Sequence, residues 1–330
     1  MGTTAETGLQ HAFLLDGTGG AKRLDWAGVR AWTANDGVLW INLDYSAADA
    51  AGWLEKDARI EPLMLEALLE PDPRPRATMY GEHLLVIARG INMNEGSEPE
   101  DMISVRDWVE PRRIITVRHR GSRSLKALAS AVESGKGPSS TGGVLVDLVE
   151  HIVEHVVARV DKLGDAIAAC EDQVLGAGRP GNLRAKLADL RRRAIALRRF
   201  LAPQREALGK LAQVALPWLD DSHHQRVAEA ADRMTRTIEE LEAAREAAAV
   251  TQEELSSQVS ETTNRRLYVL SMITAVFLPL GFVCSLLGVN VGGVPLQKED
   301  WAFWALIGVF AVGVAIQLYI FKKRGWMNKD

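Results

Sequence analysis

Two stretches near the C-terminal end, Leu267 to Leu287 and Trp301 to Phe321, each run for 21 residues without an Asp, Glu, Lys or Arg. As a helix, each would extend about 31 Å, enough to cross a hydrocarbon core of about 30 Å. Lipid offers no partner for a free amide, so both backbones have to be helical, and Pro279 inside the first run predicts a bend rather than a break. The connection 288–300 is short, which makes the pair a hairpin. Arg265 and Arg266 precede the first span and Lys322, Lys323 and Arg324 follow the second, against a single Lys298 between them, so both termini are expected on the cytoplasmic side of a multi-pass protein. A buried hairpin in a soluble core is the weaker reading, because both runs exceed the roughly 18-residue threshold for a span.

The remaining sequence has to make a soluble part. With 330 residues the chain exceeds one ordinary core. Lys and Arg number 39 against 43 Asp and Glu, a balance that offers no basic surface and argues against a nucleic-acid partner. Only Cys170 and Cys284 occur, so neither a disulfide framework nor a Cys-type zinc site is available. Met1 to Gln10 lacks a basic segment followed by an apolar stretch, and no cleavable signal peptide is expected.

Residues 1–143 read as a cytoplasmic α/β domain. Short apolar runs predict strands at His11–Leu15, Val38–Tyr45, Leu84–Met93, Ile103–Val109 and Arg113–Arg118, with helices at Ala47–Lys56, Ile60–Glu70 and Ser122–Glu133. Three prolines between Glu70 and Arg76 predict an ordered turn, and the Gly- and Ser-rich Ser134–Gly143 a linker. From Val144 to Arg266 apolar residues recur at three and four, predicting a stalk of three long helices broken near Pro180 and at Pro217–His224, the last running into the first span. The fold class is therefore an α+β membrane protein: α/β domain, helical stalk, spans 267–287 and 301–321, outer loop 288–300 and basic cytoplasmic tail 322–330. That tail would sit at anionic lipid headgroups.

Two spans cannot enclose an aqueous path, so conduction would require several copies. Asn264, Ser271 and Thr274 are polar positions that one face of the first span can hold, while Leu267, Leu270 and Leu278 share much of that face and would gate by dewetting. Ser271 and Thr274 could equally bond back to their own helix. Gly288-Val289-Asn290, followed by Val291-Gly292-Gly293-Val294-Pro295, stands at the far end. A ring of Asn amide oxygens there could hold the waters of a hydrated divalent cation, although the same residues make ordinary turns.

Thr263-Asn264-Arg265-Arg266, Val276-Phe277-Leu278-Pro279-Leu280, the Gly288-Val289-Asn290 segment, a Trp-rich second span and the basic tail together resemble the CorA metal-ion transporter superfamily. The resemblance extends over the whole architecture, Val38–Asp44 and Ile114–Arg118 being similar to strands of its cytoplasmic domain. It implies a funnel-shaped homopentamer in the inner (plasma) membrane, with the first span lining the pore and Gly288, Val289 and Asn290 forming the outer entrance. Magnesium channels carry Met in the middle of that motif. Val289 and the Gly-Gly-Val-Pro continuation are similar to the ZntB zinc-transporter branch, which implies Zn2+ as the transported ion, with proton coupling, and no prosthetic group. Gly281 stands where the magnesium branch has a pore-facing Thr. A magnesium or cobalt channel is the near alternative, and a membrane-tethered metal sensor or scaffold the distant one.

Two further groups are candidate cytosolic metal ligands. His151-Ile152-Val153-Glu154-His155 matches H-x-x-E-H, in which two imidazoles one turn apart bind zinc and the Glu acts as base. His151 and His155 flank an apolar stripe and no third ligand motif follows, so a protease is the weaker reading and the chain is not expected to be an enzyme. His223 and His224 follow Asp220 and Asp221 in the break before the third stalk helix and offer imidazole and carboxylate ligands, although solvated turns are commonly rich in the same residues. The acidic third helix, with Glu239, Glu240, Glu242, Glu246, Glu253, Glu254 and Glu261, would gather cations or pair with Arg191–Arg193, Arg198 and Arg199.

Overall fold

The structure, a computed structural model, describes residues 8–176, 182–288, 296 and 299–323. It divides into two compact units, one ending at Glu253 and the other beginning at Glu254.

The first unit is built on a seven-stranded sheet in the order β2-β1-β3-β7-β6-β5-β4. The strands are β1 (Leu9–Leu15), β2 (Ala21–Leu24), β3 (Val38–Asp44), β4 (Arg76–Tyr80), β5 (His83–Gly90), β6 (Ile103–Val109) and β7 (Arg113–Arg118). Only β3 and β7 pair in parallel, and every other neighbour is antiparallel. Such a sheet buries its two faces against different helices. On one face Leu39, Ile41, Leu43, Leu85, Ile87, Trp108, Ile115 and Val117 pack on Trp53, Leu54, Met64 and Leu68 of α2 (Ala48–Lys56) and α3 (Pro62–Leu69). The opposite face meets α5 (Thr141–Leu175), with α4 (Arg123–Glu133) beside it, and α6 (Leu183–Leu211) crosses β4 and β5.

Several elements depart from the sequence expectation. Strands β2 and β4, the short helix α1 (Trp26–Ala31) and a 3-10 turn at Ala34–Asp36 have no apolar periodicity to announce them. Both β2 and β4 are edge strands with exposed or half-buried residues, stabilised by pairing to β1 and β5. Strand β5 stops at Gly90, three residues before the expected end. The linker is shorter than expected: Ser140 caps α5 by accepting the Gly143 amide at 3.0 Å, so Thr141, Gly142 and Gly143 form its first, buried turn. Packing of α5 and α6 on the sheet joins residues on both sides of position 143 in one compact unit.

Gly142 admits a close approach between the first turn of α5 and the segment that leads into α7. A Cβ there would lie 3.0 Å from the Trp218 carbonyl oxygen and 3.2 Å from Leu219 Cδ2, whereas one on Gly164, in the same helix, meets nothing within 4 Å. We expect Gly142→Val to cost about 1–3 kcal/mol by overpacking. Gly164→Ala should stabilise by about 0.5–1 kcal/mol through helix propensity. Chemical denaturation of the two variants beside the parent checks both signs.

Helix α7 (Asp221–Leu287) is continuous for 67 residues, and α8 (Ala302–Lys323) follows. Both contain windows long and apolar enough to cross a membrane, and none of those windows is buried within the chain. Leu267, Leu270, Phe277, Leu278 and Phe282 are all more than half exposed, a pattern that water would penalise and lipid or further chains would cover.

Candidate functional site

The C-terminal part of α7 carries most of the residues singled out from the sequence. Asn264, Ser271 and Leu278 recur every seven residues, as do Leu267, Thr274 and Gly281, so each set forms a row along the helix. Helix α8 occupies one side. A groove of about 770 Å3 is lined by Phe277, Leu280, Gly281 and Cys284 of α7 and by Ile307, Phe310, Ala311 and Val314 of α8. The row that ends in Gly281 therefore turns into the groove at its outer end. The Asn264–Ser271–Leu278 row contributes nothing to it.

One polar contact joins this pair of helices and a second lies within α7. Gln317 Nε2 of α8 donates to the Ala275 carbonyl of α7 at 2.6 Å, a bond that satisfies an amide otherwise stranded among apolar side chains. Gln317 was not among the candidates, although a lone Gln in an uncharged run is a visible signal. Thr274 Oγ1 donates to the Leu270 carbonyl at 2.9 Å, the back-bonding alternative, which occupies its proton and leaves its oxygen as an acceptor. At the end of α7, the Gly288 amide donates to the Cys284 carbonyl at 2.9 Å and continues the helical pattern for one residue beyond Leu287. Val289 and Asn290 lie outside the described residues.

The candidate metal ligands of the first unit are dispersed. Asp221, His223 and His224 form the first turn of α7 rather than an interhelical loop, because Asp220 caps the helix. Asp220 Oδ1 accepts the His223 amide at 2.9 Å while His223 Nδ1 accepts the Asp220 amide at 3.2 Å. The His223 amide holds the Asp220 carboxyl below its usual range. His224 Nε2 contacts the Val214 carbonyl at 2.7 Å. His151 Nδ1 contacts the Asp147 carbonyl at 2.6 Å, and His155 Nδ1 the Ser124 hydroxyl at 3.0 Å. Burial pushes His155 below the ordinary imidazole range. The two imidazoles of the H-x-x-E-H segment thus have separate partners, and among the described residues no three His, Cys, Asp or Glu side chains are grouped to hold a metal.

The arginines of α6 pair in several directions. Arg198 meets Glu242 of α7 at 2.6 Å, as expected from the acidic third helix. Arg193 turns instead to Asp189, Glu98 and Glu100, and Arg199 to Asp72. Arg226 of α7 binds Asp147 and Glu150 of α5, and these bonds hold its guanidinium firmly protonated.

Comparison with known proteins adds a consistent set of likenesses. The family described as CorA-like Mg2+ transporter protein matches residues 35–323. A protein of Pseudomonas aeruginosa named divalent cation transporter CmaX is 35% identical over 324 residues, which cover 98% of each chain. A zinc transport protein ZntB of Yersinia enterocolitica is 32% identical over 308 residues, 92% of this chain and 93% of that one. The structure of full-length CmaX superposes with a TM-score of 0.84 at 34% identity, covering 97% of this chain and 99% of its own. The CorA magnesium transporter of Methanocaldococcus jannaschii has the same fold, with a TM-score of 0.81 at 19% identity over 99% of this chain and 100% of its own.

Proposed function

The chain belongs to the CorA-like Mg2+ transporter family, and on that premise we propose that it carries divalent cations, zinc first among them, across the inner membrane through a pore assembled from several copies of itself. The observation that carries this reading is the Asn264–Ser271–Leu278 row, a polar and apolar stripe on a membrane-length helix that the chain's own α8 leaves uncovered. A lone hairpin would present Asn264 and Ser271 to lipid at a cost, whereas a ring of copies turns them inward.

In this reading Asn264 stands at the inner mouth, Leu267, Leu270 and Leu278 form rings that gate by dewetting, and Ser271 and Thr274 offer oxygens to water between them. Gly281 lines the groove beside α8, where a Cβ would meet nothing within 4 Å. Gly288, Val289 and Asn290 make the outer entrance, the Asn amides accepting hydrogen bonds from a cation's hydration shell. The cation keeps its waters, because no carboxylate stands among these residues to replace them. A homopentamer, both termini in the cytoplasm and coupling to protons complete the reading, supported by the family resemblance and by the basic residues that flank the spans. Metal binding at His151, His155, Asp220, Asp221, His223 and His224 on the cytoplasmic side is the subsidiary reading, and zinc titration of the His223→Ala, His224→Ala protein beside the parent tests it.

Zinc is preferred because Val289 and its Gly-Gly-Val-Pro continuation are similar to the ZntB branch and because relatives across nearly the whole length are named zinc transport proteins. The family's own description favours magnesium as the second reading. Zinc uptake into proteoliposomes, with magnesium as competitor and with an imposed proton gradient, tests the three together. Asn290→Ala should lower zinc flux at least about tenfold, the effect of losing charge-oriented hydrogen bonds at a constriction, while oligomer size on gel filtration stays unchanged. Unchanged flux would remove Asn290 from the entrance, and a protein impermeable to every divalent metal would leave a sensor or scaffold.

A further inference from the structure

Outside the membrane unit, the first unit contains a polar cavity of about 190 Å3 at the end of the sheet, near the C-terminus of α3. Its lining brings together Arg89 of β5, Ser104 and Arg106 of β6, and Tyr45, His119 and Arg120 from the segments after β3 and β7. Arg89 stands opposite Ser104 in the β5–β6 register and Arg106 lies two residues further along, so both guanidiniums leave the same face of the sheet.

Arg106 is 2% exposed. Its Nη1 donates to the Leu68 carbonyl at 2.6 Å, its Nε to Ser104 Oγ at 3.1 Å and its Nη2 to the Tyr45 hydroxyl at 3.4 Å, with the Tyr45 ring 4.9 Å beneath the guanidinium. These partners are all neutral. Three bonds against the five N–H donors of a guanidinium leave two without a protein acceptor. Among the described residues no carboxylate forms an ion pair with Arg106.

Arg89 is 6% exposed and its Nε is sealed from solvent with no acceptor at all. Its other nitrogens reach the Met102 and Pro73 carbonyls and Asp72. Asp101 is engaged by Arg120 at the rim. The lining thus contains three arginines against two aspartates, an excess of one positive charge before His119 is considered. Burial above all, and to a smaller degree the charge of Arg89, press on the Arg106 guanidinium; the Tyr45 hydroxyl and the Glu70 carboxylate oppose them only in part, and the group cannot escape by deprotonating.

A buried cation with neutral hydrogen-bond partners, unfilled donors and a second guanidinium beside it has no anion in direct contact, Glu70 acting on it only from a distance. We propose that this cavity binds a small tetrahedral oxyanion, inorganic phosphate or the terminal phosphate of a small metabolite, through Arg106 with Arg89 and Arg120. Guanidinium forks match the spacing of phosphate oxygens, and Ser104 and Tyr45 supply hydroxyls on the same wall. The volume is below the roughly 300 Å3 at which sites for drug-sized ligands begin, so the cavity admits the phosphate group and leaves a nucleoside outside.

Calorimetric titration of the full-length detergent-solubilised protein with inorganic phosphate, and separately with AMP, tests the assignment. We expect saturable binding of one phosphate per chain, weakened about tenfold or more by Arg106→Met and measurably by Arg120→Gln. Arg120 is half exposed at the rim, so its substitution leaves folding intact. Arg106→Met removes an uncompensated buried charge and should leave the melting temperature of the phosphate-free protein equal or higher. Tighter binding of AMP, competitive with phosphate, would assign the site to a phosphorylated metabolite; phosphate alone would assign it to the free anion. No saturable binding of either up to about 10 mM, a decade beyond millimolar affinity, or equal binding by parent and both variants, overturns the proposal.

Discussion

Substituting Asp107 by Asn and His11 by Phe should give the first unit opposite dependences of stability on pH. Both side chains lie on the sheet face turned to α5, in a row that crosses four strands: His11 pairs with Asn42, Asn42 with Thr116 and Thr116 with Asp107. Trp40 Nε1 donates to Thr116 Oγ1 at 3.1 Å, and Thr116 donates to Asp107 Oδ1 at 2.6 Å. Burial pushes the Asp107 carboxyl up to about 7, against a smaller opposing effect of the Thr116 bond. Burial, followed by the charges of Arg118 and Arg23, lowers His11 to about 3, and its Nε2 is sealed without a partner between Phe13 and Trp40.

The signs follow from proton counts. Between about pH 4 and 6.5 the unfolded chain has a charged His11 and the folded one a neutral His11, so unfolding takes up a proton and stability falls as pH falls. Over the same range the unfolded chain has an ionised Asp107 and the folded one a protonated Asp107, so unfolding releases a proton and stability falls as pH rises. In the parent the two cancel. Asp107→Asn exposes the His11 term: stability rises from pH 4 to 6.5 with a limiting slope of about 1.4 kcal/mol per pH unit. His11→Phe exposes the Asp107 term, and stability falls with a similar slope until about pH 7. Tryptophan-fluorescence melts of the full-length variants between pH 4.5 and 8 read these slopes. Parallel curves for all three proteins would show that neither group is held in the stated protonation state.

What could be read in advance follows from where each signal resides. The two apolar runs, the three long helices and the ranges of β6 and β7 are encoded locally, as uncharged length, three-four spacing or dense β-branched runs; the strands are then buried, while the apolar runs stay uncovered by the rest of the chain. The edge strands β2 and β4 were illegible because pairing, not composition, makes them strands. The start of α5 was obscured by Thr141-Gly142-Gly143, whose small residues resemble a linker but serve a close approach to Trp218. Likewise Asp220 and His223 resemble a metal-binding turn but complete a reciprocal helix cap. The oxyanion cavity had no local signature, since Tyr45, Arg89, Arg106 and Arg120 meet only when β5, β6 and the segments after β3 and β7 are assembled. In the membrane unit, the heptad rows on α7 were readable, whereas the side taken by α8 needed the structure.

That last distinction decides the second large effect, which contrasts adjacent residues. Leu278 and Phe277 are neighbours in sequence, both more than half exposed in the single chain, and about 100° apart around α7. Phe277 lines the groove against α8 and Leu278 does not. If Leu278 contributes to a dewetting ring, Leu278→Asn places several amides at the constriction, holds water there and should raise zinc entry into proteoliposomes about tenfold, the response to removing roughly 1.4 kcal/mol from a barrier. Phe277→Asn puts its amide between two helices of one chain, where it removes packing and should lower thermal stability without opening a path. Flux and melting temperature measured on both variants form the test. Equal flux for the two would mean that the helix face opposite the groove does not line the route of the ion.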